Sequence, residues 1–177
     1  MKKLSMDELK RLSPEAFRQS EKMPVTIILD NIRSQHNIGS VFRTSDAFRL
    51  ECIHLCGITA TPPHREIQKT ALGATDTVKW EYYENTEDSI DKLRELGYQI
   101  MVVEQTDESI LLTDFEAVNK EKIAVVFGNE VHGVQQKIVD MADYCVEIPQ
   151  MGTKHSLNVS VSAGIIIWSL FKDMKWQ

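Results

Sequence analysis

The chain has 177 residues, 42% of them hydrophobic and 26% charged, which is the balance of one soluble globular domain. A net charge of −6 argues against bulk, sequence-blind nucleic-acid binding, and the longest apolar run, around Ile165 to Phe171, is far short of the roughly 20 residues that span a membrane. MKKLSMDELK has no apolar run, so no signal peptide is expected, and Cys52, Cys56 and Cys145 form no disulfide framework, so a cytoplasmic protein is.

In chain order, residues 1–22 read as an appendage of one or two short helices. Ser5 and Glu8 have capping-box spacing, and Ser13-Pro14 reads as an N-cap followed by proline at the first helical position. Pro24 is expected to end the appendage, leaving 23–177 as the main domain. Val25 to Leu29 is a β-branched apolar run, hence a buried strand. Ile38, Val41, Phe42 and Ser45 step at helical spacing and predict a helix from Ile38 to Phe48. Cys52 to Cys56 is the second strand, Gln68 to Leu72 a helical turn, and Thr77 to Trp80 a short strand. Thr86 is expected to cap a helix that Gly97 stops. Strands follow at Tyr98 to Val103, Ile123 to Phe127 and Tyr144 to Ile148, with a helix from Val134 to Met141 and a last one from Leu157 to Met174. Alternating strands and helices predict an α/β fold with a mostly parallel sheet flanked by helices.

In such sheets ligands bind beyond the carboxyl ends of the strands. Three polar loops fall there: residues 31–48, Gly128 to Gly133, and the stretch that opens at Ile148. The last, IPQMGTKHSLNVSVSAGIII, interleaves Ser156, Asn158, Ser160 and Ser162 with apolar residues, more polar groups than a packing helix needs. No G-x-G-x-x-G or P-loop string follows a strand, which disfavours a dinucleotide or nucleoside-triphosphate site. His155 and Ser156 are adjacent, but no G-x-S-x-G elbow exists for a hydrolase nucleophile. Cys52, His54 and Cys56 alternate along one strand face. Its outer members would stand about 13 Å apart at about 3.3 Å per residue, too far to share one tetrahedral zinc. No metal is expected.

The three loops, in this order, resemble the three motifs of the SpoU (TrmH-like) branch of the SPOUT RNA methyltransferases. The match is N-I-G-x-x-x-R-T from Asn37 to Thr44, F-G-N-E-x-x-G from Phe127 to Gly133, and I-P-Q-M-x-x-x-x-S-L-N-V-S from Ile148 to Ser160. One departure is Arg49, where many relatives carry a glycine closing the first helix. The resemblance implies a deep C-terminal trefoil knot threaded near residues 128–155. It also implies transfer of a methyl group from S-adenosylmethionine to a ribose 2′-hydroxyl of tRNA or rRNA. The cofactor would lie in the knot, held by backbone around Val103, Gly128, Ile148 and Leu157.

On the same resemblance Arg43 is the catalytic arginine, stabilising the developing alkoxide and gripping a phosphate. Asn37 would be a site residue, although taken alone it could simply cap its helix. Glu130 would orient Arg43 or Asn37, and Ser156 and Asn158 would contact cofactor or ribose. Residues 31–69 hold five basic residues against three acidic ones, and Arg33, Arg65 and Lys69 are the phosphate-contact candidates there. His36, His132 and His155 are read as facing solvent or RNA. The last helix is apolar nearly all round, which suggests a homodimer, as the family also does. The competing reading is a non-catalytic SPOUT-fold RNA-binding or ribosome-assembly protein, which the intact Arg43, Glu130 and Asn158 oppose.

Overall fold

The structure is a computed structural model that describes residues 1–177 except 6, 10, 118–121 and 177. At the start of the chain, Ser5 N–H donates to Glu8 Oε2 at 2.7 Å and Glu8 N–H to Ser5 Oγ at 3.4 Å, the expected reciprocal cap, around a 3-10 turn at Asp7–Leu9. Helix α1 (Pro14–Gln19) begins with Ser13 Oγ accepting the Ala16 N–H at 3.2 Å. It places Phe17 in the main core.

Among the described residues, seven strands form one sheet: β1 (Met23–Asp30), β2 (Leu50–Cys56), β3 (Trp80–Tyr83), β4 (Tyr98–Val103), β5 (Ile110–Leu111), β6 (Lys122–Phe127) and β7 (Tyr144–Glu147). Their order is β3-β2-β1-β6-β4-β7-β5, and every neighbouring pair is parallel. The central strands are apolar on both faces because both are covered. Ile27, Leu29, Met101, Val125 and Phe127 join one core with α2 (Gln35–Ala47) and α6 (Val159–Asp173). The alternate residues Ile28, Ile100, Val102, Ala124 and Val126 join the other, with α4 (Thr86–Glu95) and α5 (Gln136–Val139). Helix α3 (Arg65–Ala71) packs on α2. Gly39 permits that approach, since a Cβ there would lie 2.2 Å from the Ile67 carbonyl oxygen.

Several boundaries differ from expectation for identifiable reasons. Pro24 lies inside β1, but at the register irregularity between Met23 and Thr26, where a missing N–H costs no ladder bond. β3 starts at Trp80 because Ala74–Asp76 makes a 3-10 turn and Thr77 closes it, its hydroxyl donating to Asp46 Oδ2 at 2.5 Å. Asn85, not Thr86, precedes α4; the Thr86 hydroxyl donates to the buried Asp30 Oδ1 at 2.5 Å instead. α5 is a single turn rather than a helix over 134–141. α3 extends the expected turn, and β5, two exposed residues long, carries no periodicity to read. Arg49 adopts φ +52°, so the position where the resemblance leads one to expect glycine is left-handed.

Candidate active site

The strand order reverses direction at β1, from which the chain builds outward through β2 and β3 and later returns on the other side as β6 and β4. Such a reversal leaves a crevice at the carboxyl ends of the strands. The cavity at this edge of the sheet measures about 600 Å³ and lies to the β6 side of that reversal, bounded by the ends of β4, β6 and β7 and by the approach to α6. That volume suits a nucleoside-sized ligand.

One wall is built by the turn that follows β6. Asn129 and Gly133 exchange backbone hydrogen bonds of 3.0 and 2.9 Å. The Asn129 side chain holds both sides of the turn: Oδ1 accepts the N–H groups of Val131 (2.9 Å) and His132 (3.1 Å), and Nδ2 donates to the Asn31 carbonyl at 2.7 Å. Gly128 is required by close approach, because a Cβ there would lie 2.3 Å from Gly133 C and Val134 N. From β4, Glu104 Oε2 accepts the Val134 N–H at 3.0 Å and Oε1 the Gln105 N–H at 2.9 Å.

Glu130 projects from this turn onto the start of α2. Its carboxylate accepts the N–H groups of Arg33 and Ser34, each at 3.0 Å, and the Asn37 side-chain amide at 3.1 Å. Burial pushes the Glu130 carboxyl up, but these donors and its own N–H outweigh it and hold the carboxyl below the ordinary range. Ser34 is the N-cap of α2, with Oγ accepting the Asn37 N–H at 3.3 Å. Asn37 is therefore not the cap, because the helix starts a turn earlier than its apolar spacing suggests. Its side chain, on a residue only 8% exposed, is free to link loops. Asn37 Oδ1 accepts from Asn158 Nδ2 at 3.1 Å, and Asn158 Oδ1 caps α6 through the Ser160 N–H (2.9 Å) and hydroxyl (2.6 Å). The relay Glu130–Asn37–Asn158 thus ties together all three polar loops.

Val103, Gly128, Ile148 and Leu157 all line the cavity, as do Glu130, Ser156 and Asn158. Asn37 stands behind the wall, joined to it through Glu130 and Asn158. Arg43 is exposed on α2, does not line the cavity, and is not held by Glu130. Nine residues of helix, about 13 Å at 1.5 Å per residue, separate it from Ser34 at the end where Glu130 binds. Arg33 and Arg65 are exposed outside the cavity. Lys69 is exposed but committed to Glu66 at 2.7 Å, and Glu66 also binds His36 Nε2 at 3.0 Å. His36, His132 and His155 are exposed, as expected, and the last two also border the cavity. Glu104 and Glu147, which line it too, were not legible in the sequence because neither belongs to a motif.

Cys52 and His54 share a face of β2, as their alternation requires. The third group beside them is Glu81 of β3, not Cys56, with ligand-type atoms within 4.8 Å of one another. Their polar atoms have protein partners. His54 Nδ1 meets Ser89 Oγ at 2.7 Å, and Glu81 binds Lys79 and the Tyr83 hydroxyl, each at 2.8 Å. Burial pushes the Cys52 thiol up to about 12 and the His54 imidazole down to about 4, so both are neutral buried side chains, His54 held to α4 through Ser89.

A parallel sheet with a nucleoside-sized crevice at its carboxyl edge, walled by a glycine-dependent turn and the N-terminus of a helix, defines an α/β protein whose candidate ligand site is built largely from loops. The chain belongs to the SpoU rRNA Methylase family, whose model matches residues 24–168. It is 29% identical over 160 residues to an uncharacterized tRNA/rRNA methyltransferase of Borreliella burgdorferi, covering 90% of this chain and 68% of that one. Among solved structures it is similar to the TrmH/SpoU tRNA modifying enzyme of A. aeolicus, with TM-score 0.79 and 25% identity over 92% of this chain and 80% of that one. It is similar also to the AdoMet-bound rRNA methyltransferase of Sinorhizobium meliloti, with TM-score 0.78 and 26% identity over 92% and 61%. The chain spans 61–68% of the length of the curated relatives it matches. No described helix is long and apolar enough to cross a membrane.

Proposed function

We propose that the chain transfers a methyl group from S-adenosylmethionine to a ribose 2′-hydroxyl of tRNA or rRNA. The observation that carries this reading is the relay Glu130–Asn37–Asn158, which joins the three family motifs around one cavity of fitting size. The cofactor would be held by the backbone around Val103, Gly128, Ile148 and Leu157. A relative of 26% identity binds AdoMet. The segment 128–155 would be the threaded part of a trefoil knot, a path supported by β6 and β7 lying on either side of β4 before the chain returns to α6.

S-adenosylmethionine would supply an electrophilic methyl group: the ribose oxygen would bond to the methyl carbon as the sulfur–carbon bond breaks, its electron pair left on sulfur and the hydroxyl proton passing to solvent. Positioning supplies most of the rate in such an in-line displacement. Ser156 and Asn158 would face the ribose, with Asn37 and Glu130 acting behind them as positioning residues. The Arg43 guanidinium forms no hydrogen bond or ion pair with a described residue, so it has donors to offer a phosphate and the developing alkoxide. Arg33 and Arg65 would hold further phosphates, with Lys69 joining only after release from Glu66. A second copy of the chain would cover the apolar side of α6, where Val161 is 50% and Trp168 55% exposed beside Phe48, Ile165 and Phe171. Residues 1–22 would remain an appendage to a methyltransferase domain of 23–177 working in the cytoplasm without a metal.

Arg43→Ala tests the assignment. Turnover on bulk tRNA or rRNA, read as 2′-O-methyl nucleoside, falls at least about 100-fold, while calorimetric affinity for S-adenosylmethionine stays unchanged. Near-normal turnover would sink the role of Arg43. A native chain that binds no S-adenosylmethionine would favour the non-catalytic reading, and a monomer in sedimentation at micromolar concentration would remove the dimer.

A further inference from the structure

The cavity that would hold the proposed cofactor is lined by three carboxylates, Glu104, Glu130 and Glu147, with two histidines, His132 and His155, and no lysine or arginine among its described lining residues. Three carboxylates disfavour a ligand that carries phosphates, and the exposed Arg33, Arg43 and Arg65 lie outside the cavity. The charge that such a pocket favours is positive. S-adenosylmethionine carries one net positive charge, from a sulfonium and an ammonium against one carboxylate. S-adenosylhomocysteine, which remains after methyl transfer, has lost the sulfonium charge and is neutral overall.

We infer that Glu104 and Glu147 are specificity-determining residues that favour the cationic cofactor over its neutral product, so that transfer itself loosens what must leave. This rests on the proposed use of S-adenosylmethionine. Glu130 is less available for the task, since its carboxylate already accepts three donors from the start of α2. Glu147 has more freedom: Oε2 accepts the Ser109 hydroxyl at 3.0 Å, and its backbone carbonyl pairs with the Leu112 N–H. Glu104 is anchored by the N–H groups of Gln105 and Val134, which fixes its charge at the cavity wall. A unit charge several ångströms from a sulfonium, in a partly solvated cleft, alters binding by about tenfold.

The test is calorimetric titration of the full chain with S-adenosylmethionine, S-adenosylhomocysteine and sinefungin, whose added amine restores a positive charge without a transferable methyl group. The native chain binds S-adenosylmethionine and sinefungin about tenfold more tightly than S-adenosylhomocysteine. Glu147→Gln, which can still accept from Ser109, narrows the gap to about threefold, and adding Glu104→Gln brings it close to one. Ser109→Ala, which removes the hydrogen bond but keeps the charge, leaves the gap in place. An unchanged gap in Glu147→Gln and the double variant overturns the inference, as does an equal loss of all three ligands, which would mean contact with the shared ribose. A native chain that binds none of the three overturns the proposed function itself. Should Glu104→Gln fail to fold, Glu147→Gln alone still decides.

Discussion

Two loops wall the same cavity and are built in opposite ways. Residues 128–134 are pinned by the Asn129–Gly133 backbone pair, the Asn129 side chain, Glu104 and the contacts of Glu130 with α2. Residues 149–157 form no hydrogen bond with any described residue, and 151–158 are exposed along their whole length. Met151 is fully exposed. The first wall is complete before a ligand arrives. The second has backbone donors and acceptors still satisfied by water, ready to be exchanged for a ligand's. Such a division would let one wall set geometry while the other admits and releases the proposed cofactor.

The largest effect is expected from breaking the fixed wall at its tightest point. Gly128→Ala places a methyl group against the backbone of Gly133 and Val134, which cannot yield as a side chain would. A loss of about 2–3 kcal/mol in urea unfolding is expected, together with loss of S-adenosylmethionine binding. A variant as stable as the native chain would mean that the turn is not the rigid element described above. Glu130→Gln comes next. It keeps one acceptor oxygen and loses the charge facing three donors, for about 1–2 kcal/mol. The sign of its pH dependence follows from the lowered Glu130 carboxyl. A carboxyl held lower in the folded chain than in the unfolded one contributes fully above the unfolded value and is lost as pH falls through the folded one. The gap in stability between native and Glu130→Gln chains should be constant above about pH 5 and close below about pH 4. A gap that persists in acid would assign the effect to shape instead of charge.

The same contrast explains what could be read in advance. The central strands were legible because burial on both faces leaves β-branched runs, and Tyr98–Val103 matches its expected bounds. The pocket-facing backbone positions Val103, Gly128, Ile148 and Leu157 followed from the motif resemblance, and all four line the cavity. Side-chain partnerships were less legible, because they depend on the register between loops distant in sequence. The Asn158–Asn37 bond joins residues 121 positions apart, and no local period encodes it. For the same reason Glu130 was open to pairing with Arg43, until the start of α2 at Gln35 put a different set of donors within reach. Glu104 and Glu147 lie at strand ends where a carboxylate reads as ordinary surface.

The smallest effect sharpens the comparison from the other side. Gly152 sits in the unpinned wall; a Cβ there would meet nothing within 4 Å, and its φ is not left-handed. Gly152→Ala should therefore change stability by no more than about 0.5 kcal/mol, against several times that at Gly128. The two glycines belong to loops of one cavity, so the difference isolates packing from proximity to the site. Hydrogen exchange separates the walls further. Without ligand, the amides of Gly133 and Val134, bonded to Asn129 and Glu104, exchange slowly, while those of 150–157 exchange near the rate of an unstructured chain. Saturating S-adenosylmethionine slows the second group selectively and leaves the first nearly as it was. Equal protection of both groups in the free protein would mean that 149–157 is held by contacts other than hydrogen bonds, and the distinction between a fixed and an admitting wall would fall.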